Sequence, residues 1–224
     1  MANIFLDERH QYFDLDTGAQ LASVTQIIRL LQIRKSFHGV DQAILDFASE
    51  RGKAVESILY ALIQGQQASI DIPQWEQNGT TLSESVQQRV PGIQRWIQAG
   101  ATYVADQQMV CDLDSGVAGT LDLIADVPSD SGTHRYIIDV KATAKQEIDW
   151  SIQLGAYASM YMREFPSTDL RCAILHINPK FKKGYIFREY GLDDCCNKWN
   201  VVCAAWLMSR TAFEEAKNVI TKEN

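Results

Sequence analysis

The chain has 224 residues, 46% of them hydrophobic and 22% charged, with a net charge of −7. That is the balance of an ordinary globular chain long enough to bury a sizeable core, and it excludes a protein that coats nucleic acid by bulk positive charge. No apolar run reaches the roughly 18 residues of a membrane span, and the opening MANIFLDERHQYFD has no apolar secretory stretch. The expected setting is therefore cytosolic. The five cysteines follow neither a zinc nor a disulfide-framework spacing, which suits a reducing compartment.

In chain order, QYFDLDTGAQLAS alternates around an Asp-Thr-Gly turn and predicts a hairpin. Ser23 with Gln26 forms a capping-box pattern ahead of a helix in VTQIIRLLQI. Apolar residues recur at helical spacing from Val40 to Ile63. Residues 81 to 99 also read as helical, with Pro91 as a kink or break. The middle changes character. ATYVADQQMVCDL, GVAGTLDLIADV and RYIIDVKA are strands separated by short turn segments. A helix over 149–163, the strands RCAILHIN and GYIFREY, and a helix over 192–217 complete the order. No repeat or linker divides the chain, so residues 1–224 read as one domain. The expected fold class is α/β: a central mixed β-sheet with an antiparallel meander, flanked by helices.

The chemistry concentrates in two of those strands. Asp122 lies among the core formers Leu121, Leu123 and Ile124, a poor place for an aspartate without a task. Asp139 and Lys141 are two apart, so they share one face of the next strand. If these strands pair through PSDSG, the carboxylates converge at one end of the sheet. Paired carboxylates are the oxygen ligands that Mg²⁺ prefers, in a site that activates water and clamps phosphate. The lysine would position the attacking water or offset charge building on the phosphate.

GTLDL and IIDVKAT together resemble the core motif of the PD-(D/E)XK nuclease superfamily, with Asp-Val-Lys standing for (D/E)-X-K. QLGAY is similar to the Gln-x-x-x-Tyr element of its RecB-like branch. SVTQIIRLL and RGKAVESI resemble segments of phage-type members. The second of these usually carries a histidine where this chain has Glu56; lambda-exonuclease-like members have a glutamate there. The resemblance runs over residues 10 to 190 and implies a restriction-endonuclease-like core. It implies Glu56, Asp122, Asp139 and the Val140 carbonyl as ligands of Mg²⁺ or Mn²⁺, and Lys141 as the catalytic lysine. It places Gln153 and Tyr157, four apart on one helix face, beside the site to orient ligands or touch the DNA backbone.

The remaining features have plainer readings beside functional ones. Asp139 and Lys141 alone could be a solvated ion pair, and Glu56 a solvated helix residue. Gly52, one turn before Glu56, would leave room for a close approach. Asp106 reads as a surface residue more readily than as a site acid. Lys180, Lys182, Lys183 and Arg188, with Arg29, Arg34 and Lys35, could line a phosphate-binding surface or be ordinary solvated cations. His10, His38, His134 and His176 show no ligand spacing. Cys196 and Cys203, seven apart, read as a buried helix stripe and not as part of an iron–sulfur site. The expected activity is hydrolysis of DNA phosphodiesters, by an exonuclease of phage or bacterial recombination or repair. The alternatives are a structure-selective or nicking endonuclease, or a catalytically silent binding module that retains the fold. Single- or double-stranded DNA is the expected partner, with no membrane and with room for a homo-oligomer or a recombination protein.

Overall fold

The computed structural model describes residues 3–33, 39–68, 72–143, 149–166 and 169–222, with side chains as far as 211. Three short strands open the chain: β1 (Ile4–Leu6), β2 (Tyr12–Asp14) and β3 (Gln20–Ser23), each antiparallel to the next. The Asp-Thr-Gly turn forms as expected, with Gly18 at φ 69° and the Asp14 carboxylate accepting from the Asp16 amide at 3.1 Å. β1 is an addition that charged neighbours hid in the sequence. The capping box then starts α1 (Val24–Leu30): Gln26 N donates to Ser23 Oγ at 3.1 Å, and Ser23 N donates to Gln26 Oε1 at 3.0 Å.

Next come α2 (Gln42–Ile63), the hairpin β4 (Glu76–Gln77) and β5 (Thr80–Thr81), α3 (Leu82–Gln87) and α4 (Val90–Gln98). Asp41 caps α2 by accepting from the Ala43 amide at 2.9 Å, so the helix starts just after Val40. Pro91 sits in the first turn of α4 and breaks the 81–99 stretch into two helices. The meander follows as β6 (Thr102–Asp112), β7 (Val117–Ser129) and β8 (Gly132–Lys141), then α5 (Trp150–Glu164), β9 (Leu170–Ile177), β10 (Tyr185–Tyr190) and α6 (Leu192–Lys222).

The sheet runs β1-β2-β3-β7-β8-β9-β10, with β6 on the other edge of β7. It is mixed: β6–β7–β8 and β9–β10 are antiparallel, whereas β3–β7 and β8–β9 are parallel. One core layer lies under α1, α5 and α6 around Ile27, Leu121, Ile124, Ile137 and Leu154. The other lies under α2, α3 and α4 around Val55, Leu59, Ile93, Leu123 and Ile138. The fold is thus α/β, a large mixed central sheet flanked by helices on both faces.

One glycine sets the spacing between α5 and α6. A Cβ on Gly155 would collide with the backbone carbonyl of Cys195, so α5 and α6 touch backbone to backbone there. The cysteine buried in that contact is Cys195, with no exposure, while Cys196 and Cys203 are only half-buried. The expected stripe is therefore shifted round the helix, because the close approach at Gly155 turns Cys195 inward.

Candidate active site

β7 exchanges one neighbour for another along a single edge. Its start pairs with β3 at Ala22↔Val117 and Ser23↔Ala118, and its later part pairs with β8 from Leu123↔Ile138 onward. Continuing the second register would set Asp122 opposite Asp139, at the fork where the two partners part. There the Val140 amide donates to Asp122 Oδ2 at 2.8 Å, a side-chain acceptor where the ladder ends. The pleat of β7 also breaks at this residue. Leu121 and Leu123, two apart and so expected on one face, pack into different cores. Across from them, Gln107 has a left-handed φ of 48° between the pairs Asp106↔Leu123 and Gln108↔Leu121. A non-glycine residue in that conformation inside a strand is uncommon and marks a constrained position.

β8 supplies the rest of the centre. Asp139 is buried at 1% exposure, and Lys141 Nζ lies 2.6 Å from its Oδ2. As alternation requires, both point away from Ile138 and Val140, which fill the α2–α4 core. Lys141 Nζ also reaches Gln153 Oε1 on α5 at 3.5 Å, and Gln153 Nε2 donates to the Tyr157 hydroxyl at 3.0 Å. The tyrosine is placed by Gly119 of the GTLDL stretch. A Cβ there would stand 2.6 Å from Tyr157 Cε1, so only glycine lets the ring lie on β7. Gln153 and Tyr157, on one face of α5, are thus linked to Lys141 by hydrogen bonds.

Glu56 approaches from α2. Burial pushes its carboxyl up to about 7, the Asp139 charge adding to this while Lys141 and Lys53 oppose it. Burial, then Asp139 and Glu56, hold the Asp122 carboxyl well above the ordinary carboxylate range. The three acids thus destabilise one another's charged forms, with Lys141 as the counter-charge that lowers both Glu56 and Asp122. Among the described residues no three His, Cys, Asp or Glu side chains are drawn together closely enough to ligate one ion. Asp139 lies against Lys141, and Asp122 is turned onto the Val140 amide. In kind, however, the donor set fits a hard divalent cation: carboxylate oxygens carried on strands and raised by one another's charge.

Two neighbours carry no local sequence signal. Tyr60, one turn beyond Glu56, accepts from Gln107 Nε2 at 3.0 Å, and burial, Asp122 and Glu56 raise its hydroxyl. The strained Gln107 thus ties β6 to α2 across the acids. Only the nonlocal pairing of β6, β7 and α2 makes either residue relevant.

Other candidates lie elsewhere. Asp106 accepts from Gln64 Nε2 at 2.7 Å on the surface. Lys180, Lys182, Lys183 and Arg188 are exposed around the β9–β10 turn, and Arg29 is exposed at the end of α1. Arg34, Lys35 and His38 lie outside the described residues. Ser131, His134 and Asp169 align like a nucleophilic triad, with Ser131 Oγ 2.9 Å from His134 Nε2 and His134 Nδ1 3.0 Å from Asp169. The Ser131 amide, one donor that could face an oxyanion there, donates to Ser129 Oγ at 3.3 Å, and Ser131 and Asp169 are exposed.

No family model matches the chain, and no curated protein matches it. Among solved structures it is similar to a "putative exonuclease" from Eubacterium rectale, at 12% identity and a TM-score of 0.46, over 86% of this chain and 73% of that one. At that degree of likeness the reading of the site rests on its own residues.

Proposed function

We propose that this chain is a nuclease of the PD-(D/E)XK kind, a Mg²⁺- or Mn²⁺-dependent deoxyribonuclease that hydrolyses phosphodiester bonds by direct attack of water. The observation that carries the reading is the fork of β7 and β8. It sets Asp122 and Asp139 at one point, with Lys141 bridging Asp139 at 2.6 Å and Gln153 at 3.5 Å. Nothing in the packing of a sheet requires two acids and a lysine there, since uncompensated charge in a core is costly.

Asp122, Asp139 and the Val140 carbonyl would hold the cation, with Glu56 closing the shell from α2. The bound cation would supply an acidified water and charge neutralisation at the phosphate. Lys141 orients the attacking water and offsets the negative charge that builds on the phosphate. Gln153 fixes the lysine, and Tyr157, packed on Gly119, fixes Gln153. Within this reading we favour an exonuclease of recombination or repair. Linear end-labelled DNA and closed circular DNA, each incubated with Mg²⁺, Mn²⁺ or chelator, provide the test. Metal-dependent loss of the linear substrate alone fits the exonuclease. Nicking or cutting of the circle moves the reading to an endonuclease. Neither substrate cut under any condition contradicts a nuclease.

A further inference from the structure

Two arginines beside this site lack the partners that buried cations normally have. Arg89, at the junction of α3 and α4, is 8% exposed. Its Nη1 is held by Ser85, through the backbone carbonyl and through Oγ at 3.1 Å, while its Nε is buried with no acceptor. Arg51, on α2 five residues before Glu56, likewise has a buried Nε with no acceptor. Among the described residues neither forms an ion pair, in a chain where 28 acids outnumber 21 lysines and arginines. The two guanidinium groups also repel. Burial first and then the Arg51 charge pull Arg89 down to about 10. An unpaired buried cation is unfavourable, and two like charges side by side are worse, unless something anionic joins them.

Their position suggests what that is. The charge of Arg89 is felt at His176, whose register partner across β8–β9 is Lys141. Arg51 sits one turn before Val55, and Arg89 about one turn after Val86, and these two valines share the core under α2 and α3. At Gly52, the neighbour of Arg51, a Cβ would meet open space. The two cations therefore belong where α2 and α3 meet, Arg51 on the helix that also carries Glu56, with room at Gly52. A guanidinium presents its donors as a fork that matches phosphate oxygens.

We propose that Arg51 and Arg89 form a subsite for a phosphate group of the DNA strand other than the scissile one. This rests on the nuclease reading above. The subsite would hold the strand in register while Lys141 and the acids act on the neighbouring linkage, and it would compensate the two guanidinium charges.

The test measures binding separately from cleavage. Wild type and an Arg51→Met/Arg89→Met double variant, with Arg89→Lys as a variant that keeps the charge, are titrated with a fluorescent DNA duplex in chelator over a range of salt. Inorganic phosphate against ionic-strength-matched chloride is then compared in thermal melts of the same proteins, and cleavage is measured with Mg²⁺. The proposal expects the double variant to bind DNA more weakly, with a salt slope smaller by about one to two units. It expects phosphate to raise the melting temperature of wild type more than that of the double variant. A folded double variant with wild-type affinity and salt slope, while wild type cuts DNA, overturns the subsite alone. Stabilisation by phosphate but an unchanged DNA slope would assign the pair to free phosphate and overturn the strand-holding role. Wild type that neither binds nor cuts DNA overturns the subsite together with the nuclease reading.

Discussion

At the residue scale, Asp122 and Asp139 stay close because each is held by a different kind of donor. A backbone amide holds Asp122 at 2.8 Å, and an ammonium lies 2.6 Å from Asp139. His176 shows the same economy of charge from the other side. It is buried between Trp150 and Phe181, and its Nε2 donates to the Thr143 carbonyl at 2.7 Å. Burial, with the charges of Arg188 and Arg89, pulls its pKa below the ordinary 6.5, against the effect of the Thr143 bond. The unfolded chain therefore takes up this proton at a higher pH than the folded one does. The stability this contributes is complete above the ordinary histidine value and is lost as pH falls through the lowered folded value. His176→Gln should reduce the acid-side loss of melting temperature between about pH 7 and about pH 5 relative to wild type. The raised carboxyls of Glu56 and Asp122 tilt the curve the opposite way, but they are common to both proteins and cancel in the comparison. Parallel curves for the two proteins would contradict the assignment.

At the element scale, α2 and α5 make separable predictions. Glu56→Gln on α2 should weaken metal affinity and slow cleavage, with partial rescue at high Mn²⁺. Glu50→Gln should do little, because Glu50 only meets exposed Lys53. Equal, negligible effects in metal titrations and rate assays would return Glu56 to an ordinary helix position. On α5, Gly155→Ala adds a good helix former, worth ~1 kcal/mol in an open helix. Here it drives a methyl into the Cys195 carbonyl, and overpacking of this kind costs about 1–3 kcal/mol. A lower melting temperature is expected, and a higher one would mean that α5 and α6 are not in backbone contact. The elements legible in the sequence were those with local chemistry: the Ser23–Gln26 box, the Pro91 break, and the alternation that put Asp139 and Lys141 on one face. Those that were not legible depend on distant partners. β3 joins β7 in parallel from across nearly a hundred residues, and Arg89 is buried only because α3, α4 and the sheet close around it. The Asn78–Gly79 turn of β4–β5 is local, yet two-residue strands carry too little alternation to stand out. For the site, Asp122, Gln153 and Tyr157 were readable as motif positions. Tyr60 and Gln107 were not, since their roles arise where β6 and α2 meet.

At the scale of the whole molecule, sheet and helices hold a set of acids whose charges oppose one another, so a bound cation should stabilise the fold. At about ten times its dissociation constant, Mg²⁺ or Mn²⁺ should add about 1.4 kcal/mol, or about 3–5 °C in melting temperature for a chain of this size. Asp122→Asn should lose that shift while melting no lower than wild type in chelator, because the charge it removes is one the fold disfavours. No helix among the described residues is long and apolar enough to cross a membrane. Whether one centre built on Asp139 and Lys141 cuts DNA is read from the cleavage rate in Mg²⁺ and Mn²⁺. Wild type, Asp139→Asn and Lys141→Ala are purified in parallel and shown to be folded by circular dichroism. The proposed centre requires metal-dependent cleavage by wild type and a loss of at least about 100-fold in each variant. Folded variants that cut DNA at the wild-type rate would contradict it.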